Sequence, residues 1–325
     1  MEVERLGDGR SAACAVENWK AARTRSRIAA IAQRMWSAAT CCLLFAAGVL
    51  PVWAEETGTT TVGATSSNAA RQEALRAIPW NQIPAADRRQ LQTVVKEASY
   101  YRRLPTRVID CDPDLFSFLL QHPEVVVDVW QMMGVSKVTL QQTAAQAYRA
   151  DDGAGTSGDV RFLYTNWGPD ARNLAVVYAD GAYDGQPFIK PLRAESVIVL
   201  QSGAVRETNG RSYVSVRVDS FVRIHQMGVD LIARTVQPWI NKTADRNFVD
   251  TLGFVSTFSQ TAEQNPQGMQ RLAARLRTVD EPTRGQLVNL CFRAAQRYAK
   301  DDGGPGSKPY VLAQQVELPV EVKRK

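Results

Sequence analysis

The chain reads as an α+β protein, an antiparallel sheet wrapped on a long C-terminal helix with further helices flanking both. Three observations predict this. Between Val135 and Ile224 apolar residues recur mostly at every second position, the period of half-buried strands. From Ile240 the period changes to that of a helix: Ala244, Phe248, Thr251, Leu252, Phe254, Val255, Phe258 and Ala262 share one side of a 3.6-residue wheel. Lys242, Asp245, Arg246, Asp250, Ser256, Thr257 and Gln260 share the other, and only Val249 is misplaced. Short helical runs precede the strands and follow the long helix. A stripe that wide needs a large apolar surface, and the strands supply it.

Taken in order, the chain opens with a leader. Arg23, Arg25, Arg27 and Arg34 precede the uncharged stretch Met35 to Ala54, which ends in Val52-x-Ala54. A basic n-region, an apolar core and a small-residue site predict a signal peptide over 1–54, cleaved near Ala54, and export to the periplasm or cell exterior. The alternative is an uncleaved membrane anchor, since about 20 apolar residues span a bilayer. Residues 55–70, rich in Thr, Gly and Ser, read as a flexible linker. A helical preface fills 71–104, with helices from Arg71 to Ala77 and from Ala85 to Arg103 and stops at Pro79 and Pro105.

The main domain covers 105–264. Thr106 to Asp110 is a short strand. Asp112, Pro113 and Asp114 mark a helix start, as N-cap, first-turn proline and dipole-favourable acid. His122-Pro123 breaks that helix, and a second runs from Val125 to Met133 until Gly134. Val135 to Arg149 reads as one strand. Further strands follow around Val160, Phe162 and Tyr164, around Leu174, Val176 and Tyr178, and over Ser196 to Gln201. Asn209-Gly210 signals a hairpin. After it Val214, Val216, Val218, Val222 and Ile224 share one face, with Ser215, Arg217, Asp219 and Arg223 on the other. Two C-terminal helices occupy 265–300, and 301–325 is a polar tail with a basic end.

The order strand, two short helices, about five antiparallel strands and a long helix resembles the START-like helix-grip superfamily. The segment Cys111 to Trp130, CDPDLFSFLLQHPEVVVDVW, looks like that superfamily's opening helices. The resemblance covers about 106–264. It implies a curved sheet gripping the long helix around an apolar cavity for a lipid-like ligand. The superfamily includes carriers, sensors and a few enzymes, so fold leaves the activity open.

Composition and motifs exclude more than they assign. Of the formal +6 charge, half lies in the first 54 residues, which hold seven basic and four acidic side chains. No dense basic patch with interleaved aromatics points to nucleic acid. Gly153, Gly155 and Gly158 match G-x-G-x-x-G, but strand-like Asp159 to Phe162 follows where a dinucleotide fold needs a helix, so a hairpin turn is expected. Asp110, Asp112 and Asp114 lack the glycine and bidentate glutamate of a calcium loop, as Leu115 and Gln121 occupy those positions. His122 and His225 have no metal spacing, and no G-x-S-x-G elbow offers a serine. Asn241-Lys242-Thr243 fits a glycosylation sequon or the start of the long helix. Cleavage would remove Cys14, Cys41 and Cys42 and leave Cys111 and Cys291, either a disulfide or two separate buried thiols.

With these classes excluded, what the resemblance implies is the expected function: a non-catalytic, cofactor-free binder of a hydrophobic or lipid-like small molecule. Trp130, Phe162, Tyr178, Phe221, Phe248 and Leu252 are the candidate lining, with Trp167 and Trp239 as further aromatics. Contact with a membrane surface is compatible with such a ligand. The competing reading is an interaction protein with a filled core, meeting a partner through the helices over 71–104 and 266–298. A hydrolase centred on His225 is a third. The first two divide on volume: ligand pockets start at roughly 300 Å³.

Overall fold

The structure is a computed structural model that describes residues 63–300, except 169, 186–189, 209 and 226–236; side chains at 237–242 and 299–300 are also outside it. The leader over 1–54 with Cys14, Cys41 and Cys42, the linker over 55–62, Asn209, Trp239, the Asn241-Lys242 pair and the tail over 301–325 therefore lie outside the described residues. Helices α1 (Asn68–Ala77) and α2 (Ala85–Lys96) come first, followed by strands β1 (Tyr100–Arg103) and β2 (Arg107–Asp110). Helices α3 (Pro113–Gln121) and α4 (Pro123–Met132) lead into β3 (Thr139–Ala144), β4 (Ala147–Asp151), β5 (Thr156–Trp167), β6 (Asn173–Tyr183), β7 (Leu192–Arg206) and β8 (Ser212–Ile224). The long helix α5 (Gln237–Gln264), α6 (Pro266–Ala273) and α7 (Glu281–Lys300) complete the order.

The strands form one antiparallel sheet in the order β1-β8-β7-β6-β5-β4-β3, and β2 also pairs with β8. β1 lies along Asp219–Val222 and β2 along Val214–Val216 and Tyr213, so together they make one broken edge strand. The break falls at Pro105, which has no N–H to donate. At the β4–β5 turn Gly155 has φ +108°, and a Cβ there would lie 2.5 Å from the Asp184 carbonyl oxygen, so the glycine run is a hairpin turn.

The start of α3 follows from local chemistry. Asp112 Oδ1 accepts from the N–H groups of Asp114 and Leu115 at 3.0 Å each, starting α3. The α3–α4 break at His122 keeps both helices short enough to lie across the sheet. On α5, Phe248, Leu252, Val255 and Phe258 are all buried, in a cluster with Val214, Val216 and Val218 of β8. Fully burying each such side chain contributes about 1.5–3 kcal/mol. Arg246 and Asp250 pair one turn apart on the helix, Nε and Oδ2 3.7 Å from each other.

Several expectations need correction. The second preface helix stops at Lys96, because Tyr100–Arg103 is a strand hydrogen-bonded to β8 rather than a helical turn. The linker's last residues are held: Thr65 bridges Arg103, and Ser67 caps α1, which starts at Asn68, three residues before Arg71. The single strand expected over Val135 to Arg149 is a hairpin that turns between Ala144 and Ala147, where Gln146 takes φ 58°. Tyr164 does not share Phe162's face, because a bulge between them shifts the β5–β6 register. Cys111 and Cys291 are free, buried thiols in one core cluster, not a disulfide. Burial raises the Cys111 thiol far above its usual range and pushes Cys291 up to about 12, so both remain protonated packing groups.

The sheet is covered on both faces. Even-numbered residues of β8 face α3, α4 and α5, while Phe221 faces the preface, among Ala74, Ile83, Leu91 and Val94 of α1, α2 and their connection. The preface is thus one of three layers.

Candidate functional site

A cavity of about 270 Å³ lies between the sheet and α5. It separates two apolar clusters. One joins α5 to α3, β2 and β8; the other joins α4 to β3, β4, β5 and β6, and Phe254 packs against both. The walls are Trp130 and Val127 from α4, Phe162 and Val160 from β5, Ala175 and Val177 from β6, and Phe248, Leu252 and Val255 from α5. The Trp130 and Phe254 rings meet edge to face with centroids 5.6 Å apart, and those of Tyr148 and Phe162 do so at 6.1 Å.

Of the six candidate lining residues, Trp130, Phe162, Phe248 and Leu252 border this cavity. Tyr178 and Phe221 do not. Both sit on the opposite face of the sheet, under α1 and α2. The reason is parity. Phe221 is odd-numbered, like Arg217 and Asp219, and so cannot share a face with Val216 and Val218 on an unbulged strand. Tyr178 alternates against Val177 and Ala179, which face the α4–α5 side. Trp167 does line the cavity.

The volume expected of a carrier is not reached: about 270 Å³ stands against the roughly 300 Å³ at which ligand pockets begin.

Polar groups gather toward the first turns of α5. Thr243, Asn247 and Thr251 line the cavity at one-turn intervals, with Ser220 and Arg102 facing each other across β8 and β1. Arg102 is the one charged lining residue among those described, and Asp245 engages it with both oxygens: Nε meets Oδ1 at 2.7 Å, and Nη2 meets Oδ2. The hydrogen bond from Arg102 to Asp245 raises the Arg102 pKa despite burial, keeping the guanidinium charged and matched.

The preface face carries the buried charges. Asp219 is fully buried; its Oδ1 accepts from Tyr101 Oη at 2.6 Å and from Arg103 Nε at 2.8 Å. Glu73 of α1 bridges Arg103 and Arg217 at 2.7 and 2.8 Å. Burial alone would raise the Glu73 carboxyl, but the Arg103 hydrogen bond and the Arg217 charge bring it below its ordinary value. Glu195 accepts from Tyr178 Oη at 2.7 Å and Arg223 Nη1 at 2.8 Å, and lies 3.0 Å from His225 Nε2. His225 thus partners Glu195 beside the layer of ion pairs.

A second cavity, about 390 Å³, is polar and lies where α3, α7 and the β7–β8 turn meet. Two of its four arginines pair with acids: Arg211 with Asp110 and Glu263, and Arg297 with Asp112 and Asp114; Arg172 and Arg206 also line it. The three aspartates of the D-x-D-x-D run are therefore occupied by arginines, and no group of side chains suited to a metal exists among the described residues.

No family model matches the chain, and no curated protein matches it.

Proposed function

We propose that the protein is an exported, non-catalytic binding protein for a small hydrophobic molecule held between the sheet and α5. One observation carries the reading. The core is interrupted at the middle of the sheet by an apolar cavity of about 270 Å³ whose only charge among the described residues, Arg102, is already paired. Apolar walls with a few convergent polar groups are the general form of small-ligand sites. The resemblance to the START-like helix-grip superfamily supports the same reading. The volume restricts the ligand. A cavity of about 150 Å³ takes benzene, so this one holds roughly eleven non-hydrogen atoms, far less than a whole membrane lipid. Protein purified natively should release one such molecule per chain on organic extraction, as read by mass spectrometry. Repeated empty extracts, with no binding of added hydrophobic compounds, would sink the proposal.

The small volume favours a second reading, an interaction protein with an almost filled interior. It predicts empty extracts and a partner protein on the outer faces of α6 and α7. Export is tested separately, by N-terminal sequencing of the mature form, which should begin near Glu55.

A further inference from the structure

The sheet has two edges, and only one of them is closed. At the β1–β2 edge Thr65 bridges Arg103, and Ser256 Oγ of α5 donates to the Asp110 carbonyl at 2.8 Å. At the other edge β3 pairs with β4 alone, and among the described residues no hydrogen bond from elsewhere reaches Thr139–Ala144. Every residue of β3 except Leu140 is exposed. An open row of N–H and C=O groups is a template for another strand, and natural sheets blunt such rows with charge or proline. β3 has neither: no charged residue and no proline occurs between Val138 and Tyr148. Residues 139–142 keep one register with β4, and the bulge comes only after Gln142. A second feature marks the same place. Met132, the last residue of α4, is 37% exposed, the one large apolar side chain so exposed among the described residues. Its neighbour Gln131 donates from Nε2 to the carbonyl of Val138, one residue before β3.

We propose that β3 is a self-association surface, on which the β3 of a second copy lies antiparallel, giving one sheet continuous across two chains. Charge and symmetry favour this occupant. An uncharged strand faces itself in any antiparallel register without setting like charges opposite, and its Gln and Thr side chains can hydrogen-bond across the pair. The twofold axis of such a pair stands perpendicular to the sheet. Both copies then carry α4 on the same face, each with its Met132 near the joint. A strand pair this short makes a small interface, so the dimer is weak and dissociates on dilution.

Sedimentation equilibrium of the purified chain should show a monomer in dilute samples and a dimer in concentrated ones. Hydrogen exchange at the amides of residues 139–142 should slow on concentration, while those of β1 stay unchanged. Gln141→Lys with Gln142→Lys, both at exposed positions, sets like charges opposite in the paired strands. That variant should remain folded and be monomeric where the wild type is dimeric. A wild type that is monomeric at every concentration overturns the proposal. So does a dimer that survives in the folded double variant, or one whose β3 amides exchange alike in dilute and concentrated samples, since either places the contact elsewhere. Slow β3 exchange in the dilute monomer that is lost on deleting 301–325 would give the edge to the chain's own tail, and also overturns it. Should the double variant not fold, the concentration dependence of wild-type exchange at β3 still decides.

Discussion

Near the C-terminal end of the long helix, Glu263 faces Arg211 at 3.2 Å, yet burial, with help from Asp110, pushes its pKa up to about 7. A carboxyl whose folded pKa lies above its unfolded value stabilises the fold most when protonated. The contribution is complete below about 4.5 and is lost as pH rises through about 7. The wild type should therefore lose on the order of 2–3 kcal/mol between pH 5 and pH 8 from this group, a step that urea titrations of Glu263→Gln should lack. Parallel pH profiles for the two proteins would remove Glu263 as the source. At this scale the sequence was readable where parity alone decides. Phe221 stands one position from Val222, so its face could have been assigned from the strand's own alternation. That the buried Trp130 N–H has no partner among the described residues could not be foreseen: whether an indole finds an acceptor depends on tertiary neighbours that no local pattern encodes.

Among the elements, α5 and the α3–α4 pair were legible because their signals are local: a 3.6-residue stripe, an Asp-Pro cap and a His-Pro break. What failed were the features without punctuation. The β3–β4 turn uses Ala145 and Gln146, neither a usual turn residue, so nothing separated two strands from one. The β5 bulge after Phe162 adds a residue without a glycine to announce it. Tyr100–Arg103 follows a helical pattern but gains more from completing the β8 ladder, where tertiary pairing overrides propensity. The long helix gives a direct test. Phe258 is buried among apolar neighbours and does not line the cavity. Phe258→Ala should cost about 3–5 kcal/mol in chemical unfolding. A loss under about 1 kcal/mol would place that end of α5 on the surface. Phe248→Ala instead widens the cavity, and should extend the range of bound hydrocarbons to larger ones as well as lower stability.

On the scale of the whole molecule, the helical preface is a layer of the core. Tyr101, Val176, Tyr178, Val197, Val199 and Phe221 are buried in one cluster with α1 and α2, and Asp219, Arg103, Arg217 and Glu73 form ion pairs beneath them. The odd-numbered face of β8 carries Arg217, Asp219 and Arg223 and is nevertheless covered; charge pattern does not distinguish a face in water from one that meets matching charges on another element. Breaking such a buried pair by removing one partner costs about 3–5 kcal/mol, and removing the whole layer would expose both the charges and the aromatics. A chain starting at Ser99 should therefore show no cooperative thermal transition by near-ultraviolet circular dichroism, whereas the chain starting at Gly63 should unfold in one step. The milder Asp219→Ala, which takes the acceptor from Tyr101 Oη and leaves Arg103 with Glu73 as its ion-pair partner, should remain folded but lose stability by the lower end of that range. A truncated chain that melts cooperatively within about 3 °C of the longer one, a shift worth only about 1 kcal/mol for a domain this size, would show that the sheet holds its shape without the preface. The cavity would then owe its form to α3, α4 and α5 alone.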